Sequence, residues 1–373
     1  MAPAWLYLAT LLGATLLSLL LVPAVREYAR KREINDNPGG HKSHQSPVPY
    51  LGGVAMVAAF SVAMLVGVLI MQNVVVEGQG INVAFGGFGG QNDGLVREIA
   101  VVLCLALTFS IMGLVDDLRG LTPSFRFMVG LAVAATLVSF GVRLDSPLPF
   151  TADVVISVVW VLGITNAFNL LDNIDGLAAG TAAIAAGGFF VIAYINDQQY
   201  SALMAIGLAG AMLGFLRSNF HPATIYMGDA GSLFIGFMMA YLGLKMRTTV
   251  SEIPQLFAPM LVLGVAVLDT TIVVVSRLRR RVSPFTGGQD HLSHRLRRLG
   301  LSVPRSVTTL LIASVALGVL AIGLSESPAG VGYWILGAAI ASGAMTTVLL
   351  TTKMARVEEE SPSNVTPLRR DVG

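Results

Sequence analysis

Charged residues are scarce in this sequence, and cysteine is almost absent. Only 12% of the 373 residues are Asp, Glu, Lys or Arg, whereas 54% are hydrophobic and the mean hydropathy is +0.73. Soluble domains carry about 25% charged residues, so most of this chain has no water-facing surface. The single cysteine, Cys104, excludes an intrachain disulfide. These absences leave a polytopic membrane protein as the class.

Familiar catalytic fingerprints are also missing. The sequence has no P-loop, GxSxG, HExxH or dinucleotide-binding pattern. It shows no internal repeat of the kind that marks many transporters. The N-terminus lacks a basic region before its apolar run, so we predict a first spanning helix there rather than a cleaved signal peptide.

Apolar runs that can cross a bilayer recur along the chain. A helix needs roughly 17–25 residues to cross about 30 Å of hydrocarbon. The predicted spans are 4–25, 50–71, 97–115, 125–142, 153–170, 177–195, 200–217, 232–246, 255–276, 305–324 and 329–351. The prediction is an all-α integral membrane domain over 1–351 with eleven spans, followed by a disordered cytoplasmic tail over 352–373.

The distribution of Lys and Arg predicts the orientation. Twenty of the 24 basic residues fall in loops on the side that holds 26–49 or in the tail on that side, and four fall on the other side. Basic loops stay in the cytoplasm, so we predict an external N-terminus and a cytoplasmic C-terminus. Every polar cluster of interest then lies on the cytoplasmic face.

The polar stretch Asn166–Gly180 joins spans five and six and carries Asn166, Asn169, Asp172 and Asp175. Charged groups at the end of an apolar run are costly in lipid unless they serve ions or substrate. Carboxylates suit Mg²⁺, and amides suit a metal or a nucleobase. A polar helix cap is the alternative.

Two more acidic sites end or begin other spans. Asp116 and Asp117 end span three, and adjacent helical residues lie about 100° apart, so both serve one site only if the helix ends there or one of them acts by supporting the residues that contact the ligand. Asp229 lies between Gly228 and Gly231, and glycines permit close approach of the backbone to a phosphate. Solvated helix stops are the alternative at 116–117, and a simple turn is the alternative at 229.

Further candidates come from His, Arg, Lys and Asn. His291, His294 and Arg295 share a face if they are helical, and such groups bind phosphate oxygens. Lys42 and His44, in the first cytoplasmic loop, could meet an anionic substrate, with a structured loop as the alternative.

Arg217 and Asn219 add donors upstream of Asp229. Asp269 lies inside span nine, where an acid indicates function or a polar partner on a neighbouring helix. A transporter would place its acids near the bilayer midplane, and here only Asp269 is well inside a span.

Unpaired acids at a membrane surface call for a divalent cation. Mg²⁺, with Mn²⁺ as an alternative, keeps few protein ligands and bridges substrate phosphates. A cytosolic nucleotide sugar as donor and a lipid phosphate as acceptor fit such a site. The residues alone therefore predict metal-dependent phosphoryl chemistry at the inner leaflet.

Four motifs in order resemble the polyprenyl-phosphate N-acetylhexosamine-1-phosphate transferases. They are DD at 116–117, NxxNxxDxxDGL at 166–177, MGDAGS at 227–232 and HxxHRL at 291–296. The family includes enzymes that initiate O-antigen, enterobacterial common antigen and teichoic acid synthesis, and the MurNAc-pentapeptide transferase of peptidoglycan synthesis. The peptidoglycan branch usually has three consecutive histidines; HLSH in this chain favours the UDP-GlcNAc branch.

The resemblance implies attack of polyprenyl phosphate on UDP-GlcNAc with release of UMP, in a bacterial-type inner membrane. The implied catalytic residues are Asp116, Asp117, Asp172, Asp175, His291 and His294. The implied metal ligands are Asp229, Asn169, Asp116 and Asp117. The implied substrate-binding residues are Lys42, His44, Asn166, Asn169, Arg217, Asn219, Arg295 and Asp269. We expect direct displacement, no nucleic-acid partner, and leave a homodimer open.

Overall fold

The computed structural model describes residues 2–36, 47–77, 93–246, 252–283 and 288–360. Within these residues the fold is helical, with one pair of two-residue strands. The helices are α1 (Ala4–Lys31), α2 (Gly52–Glu77), α3 (Asp93–Arg119), α4 (Pro123–Ser139), α5 (Phe150–Leu171), α6 (Leu177–Ile195), α7 (Gln199–Asn219), α8 (Gly228–Lys245), α9 (Ala258–Val262), α10 (Gly264–Arg279), α11 (Leu292–Arg298), α12 (Val303–Glu326) and α13 (Ala329–Glu360). A 3₁₀ helix, Ile253–Phe257, precedes α9, and β1 (Asn35–Asp36) pairs antiparallel with β2 (Val48–Pro49).

Eight helices in the described ranges are long and apolar enough to cross a membrane. They are α1, α2, α3, α5, α6, α7, α12 and α13. This confirms the prediction of an all-α integral membrane protein. The three other predicted spans correspond to the shorter helices α4 and α8 and to the α9–α10 pair.

The predicted continuous span at 255–276 is wrong. The segments Ile253–Val262 and Gly264–Arg279 are bent by 81° at Leu263, so they form a broken span or a re-entrant loop. Sharp kinks occur where glycine enters a helical run, and Gly264 follows the break directly. The last helix also differs from the prediction, because α13 continues past residue 351 to Glu360.

Helix α8 lies at the centre of the bundle. Every residue from Ala230 to Leu244 is buried, and α8 packs mainly against α3, α5 and α2. A helix that is apolar on all sides belongs in an interior. The burial explains why a run of only 18 residues forms a central element although it is too short and too polar at its ends to be an obvious span.

Polar contacts fix the register of α3 against α8 at the end of the bundle opposite to the aspartates. The Tyr241 hydroxyl donates to the Glu98 carboxylate at 2.9 Å, and Lys245 Nζ lies 2.9 Å from the same carboxylate. Glu98 is near the start of α3, whereas Tyr241 and Lys245 are near the end of α8. The two helices therefore run antiparallel, which brings the end of α3 to the start of α8.

Candidate active site

Three helix ends meet at one place in the molecule. Asp117, at the end of α3, accepts hydrogen bonds from the backbone amides of Asp229 at 3.0 Å and Ala230 at 3.2 Å. Asn169, in the last turn of α5, donates to the Asp229 carboxylate at 2.7 Å and to the Ser232 hydroxyl at 3.0 Å. Acidic motifs more than 100 residues apart in sequence thus form one cluster.

Gly228 has a different role from the one that the sequence suggested. Its φ is +68°, and an added Cβ would lie 2.5 Å from Asp117 Oδ2. The absence of a side chain lets the Asp117 carboxylate reach the first amides of α8. The close approach that we expected for a phosphate is made instead by a carboxylate of the protein itself.

Arg126 joins two of the aspartates. Its Nη1 contacts the Asp116 carboxylate and lies 3.2 Å from Asp229 Oδ2. Asp116 also accepts from the Leu121 amide at 2.6 Å. As predicted for adjacent residues, Asp116 faces α4 while Asp117 faces α8. Side-chain exposure falls from 36% at Arg126 to 8% at Asp116, so the arginine is the accessible member.

The sequence reasoning missed Arg126, although a signal was present. Thr122 caps α4 by accepting from the Phe125 amide at 3.3 Å, and Pro123 occupies the first helical position. This Thr-Pro signature places Arg126 in the first turn of a helix, where a positive charge opposes the helix dipole. A cation in that unfavourable position indicates a nearby anionic site.

Asp172 is the carboxylate with the least compensation. It follows the last residue of α5, is half-buried, and makes no side-chain hydrogen bond to any residue that the structure describes. Burial raises the pKa of Asp172 to about 8, and the negative charges of Asp229, Asp117 and Asp175 raise it further in the same direction. The charged neighbours of Asp172 in the described part of the chain that shift its pKa are all negative, and a bound cation would offset them.

Asp175 and Asn219, predicted to act in catalysis and substrate binding, form hydrogen bonds to the loops around the cluster. Asp175 Oδ2 lies 2.7 Å from His221 Nδ1 and accepts from the Ala223 amide at 3.0 Å. Asn219 is buried. Its side chain accepts from the Gly176 amide between α5 and α6 and donates to the Ile225 carbonyl between α7 and α8, both at 3.1 Å. Both side chains therefore support the backbone around the cluster.

Of the three residues predicted to share a helical face, His294 and Arg295 lie in α11, whereas His291 is the extended residue directly before it and is held by Asp269. Asp269 is completely buried; its Oδ2 lies 2.7 Å from His291 Nδ1, and its Oδ1 accepts from the Leu292 amide at 2.6 Å. This is the polar-partner alternative for Asp269, because a carboxylate with no exposure cannot contact a substrate directly. The rings of His291 and His294 lie 5.9 Å apart, edge to face.

Two further residues of this region are shielded from solvent: His294 is half-buried and Arg295 is buried. Burial lowers the pKa of His294 to about 4, and the positive charges of His291, Arg297 and Arg298 act in the same direction, so its imidazole is neutral at pH 7. Arg295 is 6% exposed and donates from Nε to the Asp290 carbonyl at 2.9 Å. The segment therefore offers neutral imidazole and guanidinium donors.

An apolar cavity of about 490 Å³ opens beside the carboxylate cluster, between α3, α4 and α5. Its apolar lining includes Phe109, Met112, Phe127, Met128, Leu162 and Leu233, and its polar lining includes Arg126, Asn166 and Asn169. Asn166 is exposed and donates to the Leu162 carbonyl at 2.8 Å. The cavity thus joins a hydrocarbon-like space to the positive group of the site.

The remaining predicted residues lie apart from these contacts. Arg217 is exposed in the last turn of α7. Lys42 and His44 lie outside the described residues. Among the residues that the structure describes, no three His, Cys, Asp or Glu side chains are grouped to hold a metal ion by themselves. A divalent cation here would complete its shell with water and substrate oxygens, as Mg²⁺ commonly does.

Comparisons with known proteins agree with the motifs. The family model described as glycosyl transferase family 4 matches residues 99–247. The probable undecaprenyl-phosphate N-acetylglucosaminyl 1-phosphate transferase of Bacillus subtilis is 30% identical over 330 residues, 85% of each chain. The decaprenyl-phosphate N-acetylglucosaminephosphotransferase of Mycolicibacterium smegmatis is 31% identical over 365 residues, 86% of this chain and 80% of the relative. The phospho-N-acetylmuramoyl-pentapeptide-transferase of Shouchella clausii is 28% identical over 338 residues, 83% of this chain and 93% of the relative.

The helical bundle, the acidic cluster at one of its ends and the adjacent apolar cavity define an integral membrane transferase. The matches give the class its name: the chain belongs to the polyprenyl-phosphate N-acetylhexosamine-1-phosphate transferases of glycosyl transferase family 4. The predicted family is confirmed.

Proposed function

We propose that the protein transfers N-acetylglucosamine-1-phosphate from UDP-GlcNAc to polyprenyl phosphate, which releases UMP and forms polyprenyl-diphospho-GlcNAc. The observation that carries the proposal is the position of Arg126. Its guanidinium contacts the carboxylates of Asp116 and Asp229 and also lines the apolar cavity. A lipid with a phosphate head group needs these two environments side by side.

The acceptor would bind with its prenyl chain in the apolar cavity. Burial of hydrocarbon stabilises such a complex by about 0.8 kcal/mol per CH₂ group. The head group would then meet Arg126, and the second N–H of the Asn166 amide at the polar wall would donate to it. Both N–H groups of Asn169 are already bonded to Asp229 and Ser232. Arginine suits this task because its donors form a planar fork that matches phosphate oxygens.

The donor would bind between the carboxylate cluster and α11. The imidazoles of His291 and His294 and the guanidinium of Arg295 are suited to phosphate and sugar oxygens. When bound, Mg²⁺ would neutralise charge on the diphosphate, with Asp172 as its most available carboxylate and Asp229 as a second ligand. Asp229 shares Arg126 with Asp116, and Asp117 accepts from two amides of α8.

The reaction forms a bond between an acceptor phosphate oxygen and the β-phosphorus of the donor, and breaks the bond from that phosphorus to the oxygen bridging it to the α-phosphate. The acceptor is a phosphate monoester with a second pKa near 6, so it is already mostly dianionic at pH 7. A general base adds little. Bringing two anions together is the greater obstacle, and Arg126 addresses it by charge neutralisation and orientation.

The topology of the proposal follows the basic residues. We place the aspartate cluster on the cytoplasmic side of a bacterial inner membrane, where a nucleotide sugar is available. Eleven crossings are retained, with α4, α8 and the bent α9–α10 pair as the three that fall short of a full apolar span.

The test measures release of labelled UMP from UDP-GlcNAc, with and without polyprenyl phosphate and with Mg²⁺ or a chelator. We expect release that requires both lipid and Mg²⁺ and is abolished in Asp229→Asn. Asp145→Asn is the matched control, because it removes an exposed aspartate at the opposite end of the bundle. Full activity in Asp229→Asn would remove Asp229 from the metal site, and undiminished activity in the presence of the chelator would refute the requirement for Mg²⁺.

A second donor is favoured by one observation. Relatives named phospho-N-acetylmuramoyl-pentapeptide-transferase match at 28–29% identity over more than 80% of this chain. UMP release from UDP-MurNAc-pentapeptide but not from UDP-GlcNAc would establish that alternative.

Trapping of a phosphorylated Asp116 or Asp117 with donor alone, without lipid, would overturn direct displacement.

A further inference from the structure

Asn173 and Ser293 form a hydrogen bond that joins two parts of the site from distant regions of the chain. The Ser293 hydroxyl donates to Asn173 Oδ1 at 2.5 Å, across 120 residues of sequence. Ser293 is completely buried in the first turn of α11. The other end of the Asn173 amide donates to the Leu170 carbonyl at 2.8 Å, which fixes its orientation at the end of α5.

Among the described residues, this bond is one of two side-chain attachments that hold residues 291–293 to distant parts of the chain; the preceding residue, Asp290, also pairs with Arg277 and Arg280 of α10. The first comes from Asp269 of α10, which holds His291 Nδ1 and the Leu292 amide. The second comes from Asn173 of the α5–α6 loop. Helix α11 has only seven residues, and an isolated helix of that length is unstable in water. Its position therefore depends on its attachments.

The two attachments act in different directions. Asp269 attaches the start of α11 to α10, whereas Asn173 attaches α11 to the α5–α6 loop, which carries Asp172. Asn173 directly follows Asp172, the uncompensated carboxylate. Loss of the Asp269 contact would free His291 itself, but loss of the Asn173 contact would change only the spacing between the histidine helix and the carboxylates.

We infer that Asn173 and Ser293 are positioning residues that set the distance between the histidine helix α11 and the aspartate cluster, and so determine the affinity for the nucleotide-sugar donor. The inference rests on the proposed function for the identity of that donor. Neither side chain needs to touch the substrate. Their effect is on the geometry in which His291, His294 and Asp172 meet it.

Steady-state kinetics of UMP release give the first test. Asn173→Ala and Ser293→Ala should each raise KM for UDP-GlcNAc about fivefold, the effect of one ordinary hydrogen bond, with a smaller effect on kcat and on KM for polyprenyl phosphate. The double variant should resemble either single variant, because both lose the same contact. Additive losses, or equal increases in both KM values, would overturn the inference.

Ser306→Ala supplies a matched control. Ser306 is also completely buried, lies in the first turn of the neighbouring helix α12, and its hydroxyl has no hydrogen-bond partner among the described residues. Its removal should leave KM for the donor within about twofold of the wild-type value. A fivefold increase in this variant too would show that any buried serine in this region has the same effect, and would overturn the specific role of Ser293.

Limited trypsin digestion gives a test that needs no activity. Arg297 and Arg298 are exposed at the end of α11, so cleavage after them in the full-length protein reports release of this helix. Cleavage there should be about fivefold faster in Asn173→Ala and Ser293→Ala than in the wild type, and unchanged in Ser306→Ala. Unchanged cleavage in the first two variants would overturn the attachment.

The two readouts separate the inference from the proposed function. If the wild type releases no UMP from UDP-GlcNAc, the proposed function fails, while the trypsin experiment still decides whether the attachment exists. If cleavage accelerates but KM for an active enzyme does not change, α11 is held by Asn173 but does not set donor affinity, and the inference is overturned.

Discussion

Gly113 of α3 is the point at which α3 and α8 come closest beside the site. A Cβ at this position would lie 2.3 Å from the carbonyl carbon and oxygen of Asp229 and 2.5 Å from the Ala230 nitrogen. Ordinary van der Waals contact begins at 3.4 Å, so the two backbones would have to separate by about 1 Å. Rotation of a side chain cannot relieve the overlap, because all three neighbouring atoms belong to the backbone.

We therefore expect Gly113→Ala to lower kcat/KM for UMP release by about 100-fold, since a displacement of about 1 Å in a catalytic constellation has effects of that size. Overpacking should also lower the free energy of unfolding by roughly 1–3 kcal/mol, so thermal melts in detergent accompany the assay. Gly163→Ala on α5 is the control, because a Cβ there meets nothing within 4 Å. If Gly113→Ala keeps more than half of the wild-type kcat/KM, the α3–α8 spacing does not determine the geometry of the site.

Substitutions at three other residues test the charges of the molecule. Arg126→Met should lower kcat/KM by roughly 10- to 100-fold, because it removes charged hydrogen bonds from two carboxylates, and Arg126→Lys should recover part of the loss; equal activity of all three proteins would contradict this. The pKa of His294 falls from 6.5 when unfolded to about 4 when folded, so the wild type should lose stability as the pH decreases from about 6.5 to 4. His294→Gln should show a smaller loss in thermal melts between pH 7.5 and 4.5, and an unchanged loss would refute the assignment. Glu98→Gln should reduce stability by roughly 1–3 kcal/mol while leaving KM for both substrates unchanged, because its partners lie at the far end of the bundle; a change in either KM would contradict that separation.

The sequence predicted the meeting of the three acidic motifs because each one ends or begins an apolar helix. An acid in that place is conspicuous, and antiparallel helices bring such ends to the same side of a bundle. The hydrogen-bond partners of each acid could not be predicted from the sequence, because they depend on how the helices pack. Asp117 pairs with amides of α8, Asp175 with a loop histidine and Asp269 with His291, and no local pattern distinguishes these outcomes from exposure to a substrate.

Hydropathy also has a limit that the region around Leu263 illustrates. It measures the composition of a window and carries no information on the direction of the helix axis, so a bent pair of segments reads as one span. Hydropathy can also underrate a membrane-embedded helix, and α8 is the example. Its short run and polar ends made it the least obvious span, yet burial on all sides makes it the element that positions Asp229.

The start of α8 supports the roles that we propose for Arg126 and for a divalent cation. In many phosphate-binding proteins the free amides at a helix N-terminus hold the anion directly. Here the amides of Asp229 and Ala230 are already bound to the Asp117 carboxylate, whose charge also offsets the positive end of the helix dipole. The helix can therefore orient Asp229 but cannot attract a diphosphate. Under the proposed function, the positive charge that two anionic substrates require would come from outside the helix, and Arg126 is the described residue of the cluster placed to supply it.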